Sequence, residues 1–231
     1  MTPLALYNRF RLDTDDAVSG TFWSDEEVFG YMEDAQQMLC RLTDGIRDAS
    51  SSVTQVPVVD GEEWVSIDPS ILKIRTAVLA SNHRPVRILS WEEELDMPKD
   101  IHGWPEYWNT EMYLEGPVTA AIIGMEEEKL RLIRIPVADD TMSLVVERLP
   151  LQTLIVDEPT DLPDSFEVRA EHHLALLLWM KHLAYGKQDA ETFDKVKSGE
   201  MGIAFEAYCA KAKEEKARRN HKPRLIRYGG L

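Results

Sequence analysis

The stretch SDEEVFGYMEDAQQMLCRLTDGI, residues 24–46, carries the strongest secondary-structure signal in the chain. Ser24 with Glu27 three positions later forms a capping-box pattern, and the acidic residues after Ser24 suit the positive end of a helix. Apolar residues then recur every three or four positions and so share one face: Val28, Met32, Ala35, Leu39, Leu42 and Ile46. The stretch predicts an amphipathic helix that packs on a sheet or on another helix.

After the serines at 50–52, the periodicity changes from that of a helix to that of short strands. Runs rich in Val, Ile, Leu, Thr and Trp are separated by turn signals such as Asp60-Gly61. The predicted strands are residues 53–59, 64–67, 72–79, 86–90, 111–114, 118–123, 130–135 and 144–148. We expect an antiparallel region with one buried and one solvated face, either a sandwich or a single curled sheet. The doubled Leu132-Ile133 suggests a β-bulge.

Helical periodicity returns after residues 161–164 and continues for about fifty residues. One helix is predicted over about 166–185, ending at Gly186, and a second over about 189–219. Gly199 and Gly202 each cost the second helix about 1 kcal/mol relative to Ala, so a kink or break there is compatible with the sequence.

The predicted fold class is α+β: a helical body, made of an N-terminal helix and two C-terminal helices, with a central antiparallel β region. An extended C-terminal tail follows the last helix. The predicted organisation is an N-terminal segment at 1–20, a helical body at 21–52 and 160–219, an inserted β region at 53–159, and a basic tail at 220–231.

Composition limits the classes of protein that the chain can represent. Its 231 residues include 26 Lys and Arg against 41 Asp and Glu, a net charge of −15, which argues against a surface that binds nucleic acid throughout. The two cysteines, Cys40 and Cys209, form no metal or disulfide pattern and are expected to be free thiols in a reducing compartment. No apolar run approaches about 18 residues, so we expect a soluble protein made in the cytoplasm, with no secretion and no membrane span.

Signals for chemistry are weak. The chain lacks the glycine-rich phosphate-binding motifs and the serine-hydrolase elbow. His172 and His173 are adjacent and would point about 100° apart on a helix, so they are not expected to share a metal. Cys40 is predicted to be a buried, inert thiol. The carboxylates at 15–16, 92–94 and 126–128 are predicted to be solvated faces and loop tips. We therefore assign no catalytic, cofactor-binding or metal-binding residue.

A group of aromatic residues is denser than the rest of the chain. Core packing or a subunit contact is a better interpretation than a ligand groove, because Trp and Tyr bury a large area while keeping a polar edge. The group consists of Trp91, Trp104, Tyr107, Trp108 and Tyr113.

Charge is distributed unevenly along the chain. Residues 211–231 contain eight Lys or Arg and two Glu, a net of +6, which leaves −21 on the other 210 residues. This asymmetry predicts a basic arm that docks on an acidic partner or on nucleic acid. Leu225, Ile226 and Tyr228 favour a protein groove, since apolar side chains contribute little to phosphate binding. The alternative is a disordered basic tail without a function.

Four segments together resemble the head-to-tail connector, or adaptor, proteins of tailed bacteriophages. They are WSDEEVFGYMEDAQQMLCRLTDGI at 23–46, GWPEYWNTEMYLEG at 103–116, LRLIRIPVADDTMSLVVERLP at 130–150, and DLPDSFEVRAEHHLALLLWMKHLAYGKQDAETFDKVKSGEMGIAFEAYCAKAKEE at 161–215. The resemblance covers about residues 23–219, and its last segment is similar to the helical pair of that family.

The resemblance implies a non-enzymatic structural subunit in the neck of the virion. Such subunits form a homo-oligomeric ring, commonly of twelve copies, between the portal protein and a tail or nozzle protein, with a C-terminal extension that can reach into the portal. DNA would pass through the lumen without specific binding, past acidic side chains that repel it. The residues expected to dock on the portal are Arg218, Arg219, Lys222, Arg224, Leu225, Ile226, Arg227 and Tyr228.

Two alternatives from other classes remain at this point. A DNA-binding module would use the basic tail, and its affinity would fall steeply with salt. An enzyme would use the carboxylate or histidine clusters, and it would need a concave pocket with perturbed titrating groups.

Overall fold

The computed structural model describes residues 1–16, 22–92, 112–188 and 192–220, and these residues form two compact units. A helical unit is built from residues before Ile46 and after Leu149, and a β unit comprises Ile46–Leu149. The first and last strands of the β unit pair with each other, since Ile46 lies opposite Arg148 in the sheet. The α+β class predicted from the sequence is confirmed.

In its described residues the helical unit contains four α-helices: α1 (Pro3–Asp13), α2 (Asp25–Leu42), α3 (His173–Gly186) and α4 (Lys195–Asn220). Helix α3 is at the centre and packs against each of the other three. Its sequence HLALLLWMKHLAYG is apolar nearly all round, as expected for a helix surrounded by others.

Helix α1 falls in the segment for which no helix was predicted. Its start carries a recognisable signal, because the Thr2 hydroxyl accepts a hydrogen bond from the Ala5 amide and Pro3 occupies the first helical position. Leu6 and Phe10 are fully buried. These two residues are four positions apart and attach one face of α1 to the core of the helical unit.

Helix α2 begins as predicted and ends earlier. The capping box is present: the Ser24 hydroxyl accepts from the Glu27 amide at 3.2 Å, and the Glu27 carboxylate accepts from the Ser24 amide at 2.9 Å. The assignment of Ile46 to the helix face was wrong. Asp44 and Gly45 adopt left-handed backbone conformations, φ +61° and +67°, which end the helix and let Ile46 start a strand.

The β unit is one eight-stranded sheet rather than a sandwich. Along the sheet the order is β1-β8-β4-β5-β6-β7-β3, and β2 also pairs with β8. The described strands pair antiparallel except β5 with β6, which is parallel, and an isolated parallel bridge joins Glu115 to Ile135. The strands are β1 (Ile46–Asp48), β2 (Gln55–Val58), β3 (Trp64–Ser66), β4 (Ile71–Leu79), β5 (Pro85–Ser90), β6 (Ala120–Ile123), β7 (Lys129–Ile133) and β8 (Asp140–Arg148).

Several details of the strand prediction were wrong. Of the predicted strand at 111–114, residue 111 lies outside the described residues, and 112–114 form a turn and an irregular segment. No bulge occurs at Leu132-Ile133, where the β6–β7 register is continuous; the irregularities lie in β4 instead. Arg131, which lies between the apolar residues Leu130 and Leu132 of β7, is 2% exposed and pairs with Glu63.

The two C-terminal helices also differ from their predicted bounds. Helix α3 starts at His173 rather than near 166, after the 3₁₀ turn Ala170–His172. Helix α4 is continuous through both glycines. Gly202 is needed for close packing, since a β-carbon there would lie 2.9 Å from the His182 ring nitrogen Nδ1. Gly202, one of the two glycines that suggested a break, instead allows α4 to pack closely against His182 of α3.

Candidate functional site

The last turns of α4 contain the described part of the predicted docking tail, and Lys216 attaches them to the end of α2. Its ammonium donates to the main-chain carbonyls of Thr43 at 3.0 Å, Asp44 at 2.8 Å and Gly45 at 2.7 Å. Carbonyls at a helix C-terminus have no partner within the helix and lie at its negative end. A lysine there provides hydrogen bonds and an opposite charge at once.

A second contact reinforces the first on the same side of α4. The Lys213 ammonium lies 2.9 Å from the Asp44 carboxylate. Both side chains are about half exposed, so this pair contributes less than the Lys216 contacts. Lys213 and Lys216, which contribute to the positive charge counted in the tail, are therefore already engaged within the helical unit.

Arg219 is attached to the turn that precedes α3. Both of its terminal nitrogens lie 3.2 Å from one carboxylate oxygen of Glu171, and the Arg169 guanidinium lies 3.4 Å from the same oxygen. Desolvation acts to raise the pKa of Glu171, but the hydrogen bonds from Arg219 and the charge of Arg169 outweigh it, so the pKa is lowered. Glu171 therefore stays ionised and continues to pair with Arg219 at the end of α4.

The remaining predicted docking residues have fewer described contacts or none. Arg218 lies 3.4 Å from Glu214 one turn earlier, and both side chains are largely exposed. The other six lie outside the described residues: Lys222, Arg224, Leu225, Ile226, Arg227 and Tyr228. The structure thus brings Arg218 and Arg219 to one end of the helical unit, where the chain continues into residues 221–231.

A partly buried polar contact joins the 3₁₀ turn before α3 to the middle of α4. The Tyr208 hydroxyl donates to the Glu171 carbonyl at 2.9 Å, and the His172 ring nitrogen Nδ1 lies 2.9 Å from the same hydroxyl. Because that hydroxyl proton is already used, Nδ1 of His172 serves as the donor. Desolvation lowers the pKa of His172, which keeps its ring neutral near pH 7.

The other two helical histidines have separate partners. His173 is buried, with Nε2 2.9 Å from the Val168 carbonyl, while His182 Nδ1 lies 2.8 Å from the Ser198 carbonyl. In the part of the chain that the structure describes, no cluster of His, Cys, Asp or Glu is arranged to hold a metal ion. None of the described helices is long and apolar enough to span a bilayer.

Both cysteines are buried. Desolvation and the charge of Glu206 raise the pKa of the Cys209 thiol to about 11, so the reactive thiolate is scarce at neutral pH. In the aromatic group, Tyr113 is 69% exposed with the Arg131 guanidinium 5.8 Å from its ring centre, while Trp104, Tyr107 and Trp108 lie outside the described residues.

The carboxylate clusters were predicted to be solvated, and Asp16 contradicts this. It is 1% exposed and contacts Arg11, whose guanidinium also binds Asp25 and donates to the Trp23 carbonyl at 2.7 Å. Sequence reasoning missed this buried network because it missed α1, which carries Arg11. Within the third cluster, Glu126 is half exposed and pairs with Lys129 at 2.7 Å.

The described residues form a helical unit and a β unit, and the charged end of α4 is exposed. Among them, the polar side chains with described contacts pair with one another or with main-chain groups. Such an arrangement is compatible with a structural protein that acts through its surfaces.

Comparison with known families agrees with that class. The model of the SU10 adaptor protein family matches residues 1–225, nearly the entire chain. The chain belongs to this family, which makes it a bacteriophage adaptor, a structural component of the virion. No curated protein matches the sequence.

Proposed function

We propose that the protein is the head-to-tail adaptor subunit. Twelve copies, the number most common among connectors, would form a ring beneath the portal protein. The ring would join the portal to a tail or nozzle protein in the neck of the virion. The observation that carries this proposal is the family match over residues 1–225, which includes α4 and the start of the basic tail.

Docking on the portal is proposed to use the C-terminal tail together with the end of α4. Arg218 and Arg219 lie in the last turn of α4, and they would pair with acidic portal side chains. Lys216 and Glu171 support this role, because they attach the final turns of α4 to the helical unit. A fixed helix end reduces the entropy lost when the following residues bind a partner.

Passage of DNA through the ring is the third part of the proposal. The chain outside residues 211–231 carries −21, so a lumen lined by its acidic side chains would repel the phosphate backbone and let DNA slide. A lumen lined mainly by Lys and Arg would contradict this part.

Deletion of residues 220–231 tests the docking role. The contacts of Lys216 and Arg219 lie before the deletion, so the shortened chain should keep its fold and its circular dichroism spectrum. We expect its binding to the portal protein to be lost in a pull-down or by surface plasmon resonance. Unchanged docking would refute the role of the tail.

Two variants then separate portal docking from DNA binding. Leu225→Ala with Ile226→Ala removes the apolar side chains of the tail, whereas Lys222→Ala with Arg224→Ala removes charge. A protein groove predicts that the first pair weakens portal binding at every salt concentration. A DNA-binding arm predicts that only the second pair matters, with an affinity for DNA that falls steeply as salt rises.

A further inference from the structure

The hairpin formed by β4 and β5 differs in charge from the chain as a whole. Residues 71–90 contain four Lys or Arg and no Asp or Glu, a net charge of +4 in a chain whose total is −15. We call this segment the basic hairpin. Its cations are Lys73, Arg75, Arg84 and Arg87.

Two of these cations lie on the outer face of the sheet. Ile74 and Val86 belong to the core of the β unit. Side chains alternate between the two faces along a strand, so the neighbouring Lys73 and Arg87 point away from that core. Both are exposed, as is Arg84 in the turn before β5.

Most of the charge of the basic hairpin is not neutralised within the described structure. Arg75 pairs with Glu147 at 2.8 Å. The other three cations form no ion pair with a described residue: Lys73, Arg84 and Arg87. Their charges are therefore available to a partner.

A segment of opposite charge lies between β8 and α3, in the helical unit. Residues 150–168, which we call the strap, contain five Asp or Glu and no Lys or Arg. Four of these acids are exposed and have no ionic partner among the residues that the structure describes: Asp157, Glu158, Asp161 and Asp164.

The strap is held in place although most of it has no regular secondary structure. One carboxylate oxygen of Glu167, its fifth acid, accepts hydrogen bonds from the Leu151 amide at 2.7 Å and the Gln152 amide at 2.5 Å. The Leu154 side chain is buried, and its amide donates to Glu33 of α2 at 2.8 Å. A surface fixed in this way binds a partner at a lower entropic cost than a free loop.

A ring of identical acidic subunits requires contacts between surfaces of opposite sign. Each copy carries −15, so neighbouring copies repel one another unless a positive surface of one meets a negative surface of the next. The basic hairpin and the strap are two such surfaces, and in both of them most charges are unpaired.

We propose that the basic hairpin of one copy docks on the strap of a second copy of this chain. Charge complementarity selects this occupant, because the hairpin carries +4 and the strap −5. Each surface also exposes an apolar side chain, Leu72 at 39% and Ile155 at 55%. This inference rests on the proposed ring and assigns the surfaces that join its subunits.

The contact is head-to-tail, since two different surfaces meet. Each copy uses its hairpin on one neighbour and its strap on the other, and repetition closes a ring. Copies should therefore fill the portal cooperatively, because each bound copy offers a surface to the next.

The test reverses the charge of one surface at a time in the full chain. Lys73→Glu, Arg84→Glu and Arg87→Glu together change the hairpin from +4 to −2. This hairpin variant then meets an acidic strap with an acidic surface at every contact. All three side chains are exposed, so its circular dichroism spectrum should match that of the wild type.

A second variant reverses the other surface independently. Glu158→Lys, Asp161→Lys and Asp164→Lys together change the strap from −5 to +1. These side chains are exposed and form none of the hydrogen bonds that hold the strap, so this strap variant should fold even if the hairpin variant does not.

A matched control carries the same change of charge as the hairpin variant at other places. Arg41→Glu, Lys195→Glu and Lys211→Glu replace three exposed cations of α2 and α4 that also have no described ion pair. The readout is the concentration of each protein that gives half occupancy of the portal, measured by native mass spectrometry.

Wild type and control should reach half occupancy at similar concentrations, whereas the hairpin variant and the strap variant should each need about tenfold more protein or above. A mixture of the two variants should recover to within about threefold of the wild type, because alternating copies again place opposite charges at every contact. Recovery in a mixture requires that the surfaces meet between copies. A mixture of the hairpin variant with the control should not recover.

Each other result decides against the inference. If either reversed variant fills the portal as the control does, the inference is wrong and the proposed function stands. If both variants are weak and their mixture does not recover, the surfaces contact something other than a second copy, such as DNA or the tail protein, and the inference is again wrong. If the wild type does not bind the portal at all, the proposed function is wrong, and the inference with it.

Discussion

Replacing Lys216 by methionine removes the ammonium that holds the end of α4 against the end of α2 while keeping most of the side-chain volume. Three main-chain carbonyls lose their described donor at once, those of Thr43, Asp44 and Gly45. The helical unit should therefore become less stable, and the last turns of α4 should exchange their amide hydrogens faster.

The size of this loss of stability depends on hydrogen bonds, side-chain entropy and the charge at the helix end. Hydrogen bonds to a charged group contribute about 1.5–3 kcal/mol each, but Lys216 is only partly buried, so water can replace part of the loss. The methionine side chain is not fixed by these hydrogen bonds, so up to about 2 kcal/mol of side-chain entropy is regained. A cation at a partly buried helix C-terminus contributes up to about 2 kcal/mol. We expect Lys216→Met to lower the free energy of unfolding by about 2 kcal/mol.

Urea unfolding followed by circular dichroism measures this loss. With a slope of about 2 kcal/mol per molar urea, the midpoint should fall by about 1 M. Lys211→Met is the matched control, because Lys211 is exposed on the same helix and its loss should change stability by less than about 0.5 kcal/mol. Equal midpoints for the two variants would refute the role assigned to Lys216.

Two further predictions concern the packing of α4. Gly202→Ala should destabilise the protein by about 1–3 kcal/mol, because the new methyl group meets His182. Gly199→Ala should stabilise it by up to about 1 kcal/mol, because nothing lies within 4 Å of the new methyl group and Ala favours the helix. If urea unfolding showed effects of the same sign for both variants, the packing described would be wrong. Cys209, with a pKa of about 11, should be roughly 0.1% thiolate at pH 8. Labelling by a disulfide reagent should therefore require unfolding, and complete labelling of folded protein within minutes would contradict its burial.

The sequence predicted secondary structure correctly where the local signal and the tertiary contacts favour the same conformation. The capping box at Ser24 predicted the start of α2, since the signal depends only on residues within one turn. The end of α2 was predicted too late because Ile46 has the spacing of the helix face. Pairing with Arg148, about a hundred residues away, makes Ile46 part of a strand, and that contact is invisible to a local pattern.

Buried charge was the least predictable feature. Asp16 belongs to a carboxylate cluster predicted to be solvated, yet it is buried against Arg11, and Arg131 is buried against Glu63, 68 residues earlier in the chain. The contacts of Lys216 and Arg219 were also not visible in the sequence: composition marks both as parts of a basic tail, whereas the structure places Lys216 beside the end of α2 and Arg219 beside Glu171. Pairing over long sequence distances determines which charges remain available to a partner.

The mass of the protein, alone and with the portal protein, tests the central claim most directly. Native mass spectrometry should give 26.4 kDa for the isolated chain. The mass of the complex with the portal protein should correspond to a fixed number of bound copies, which is twelve for the proposed ring. A portal whose mass does not change in the presence of excess protein would contradict the adaptor function.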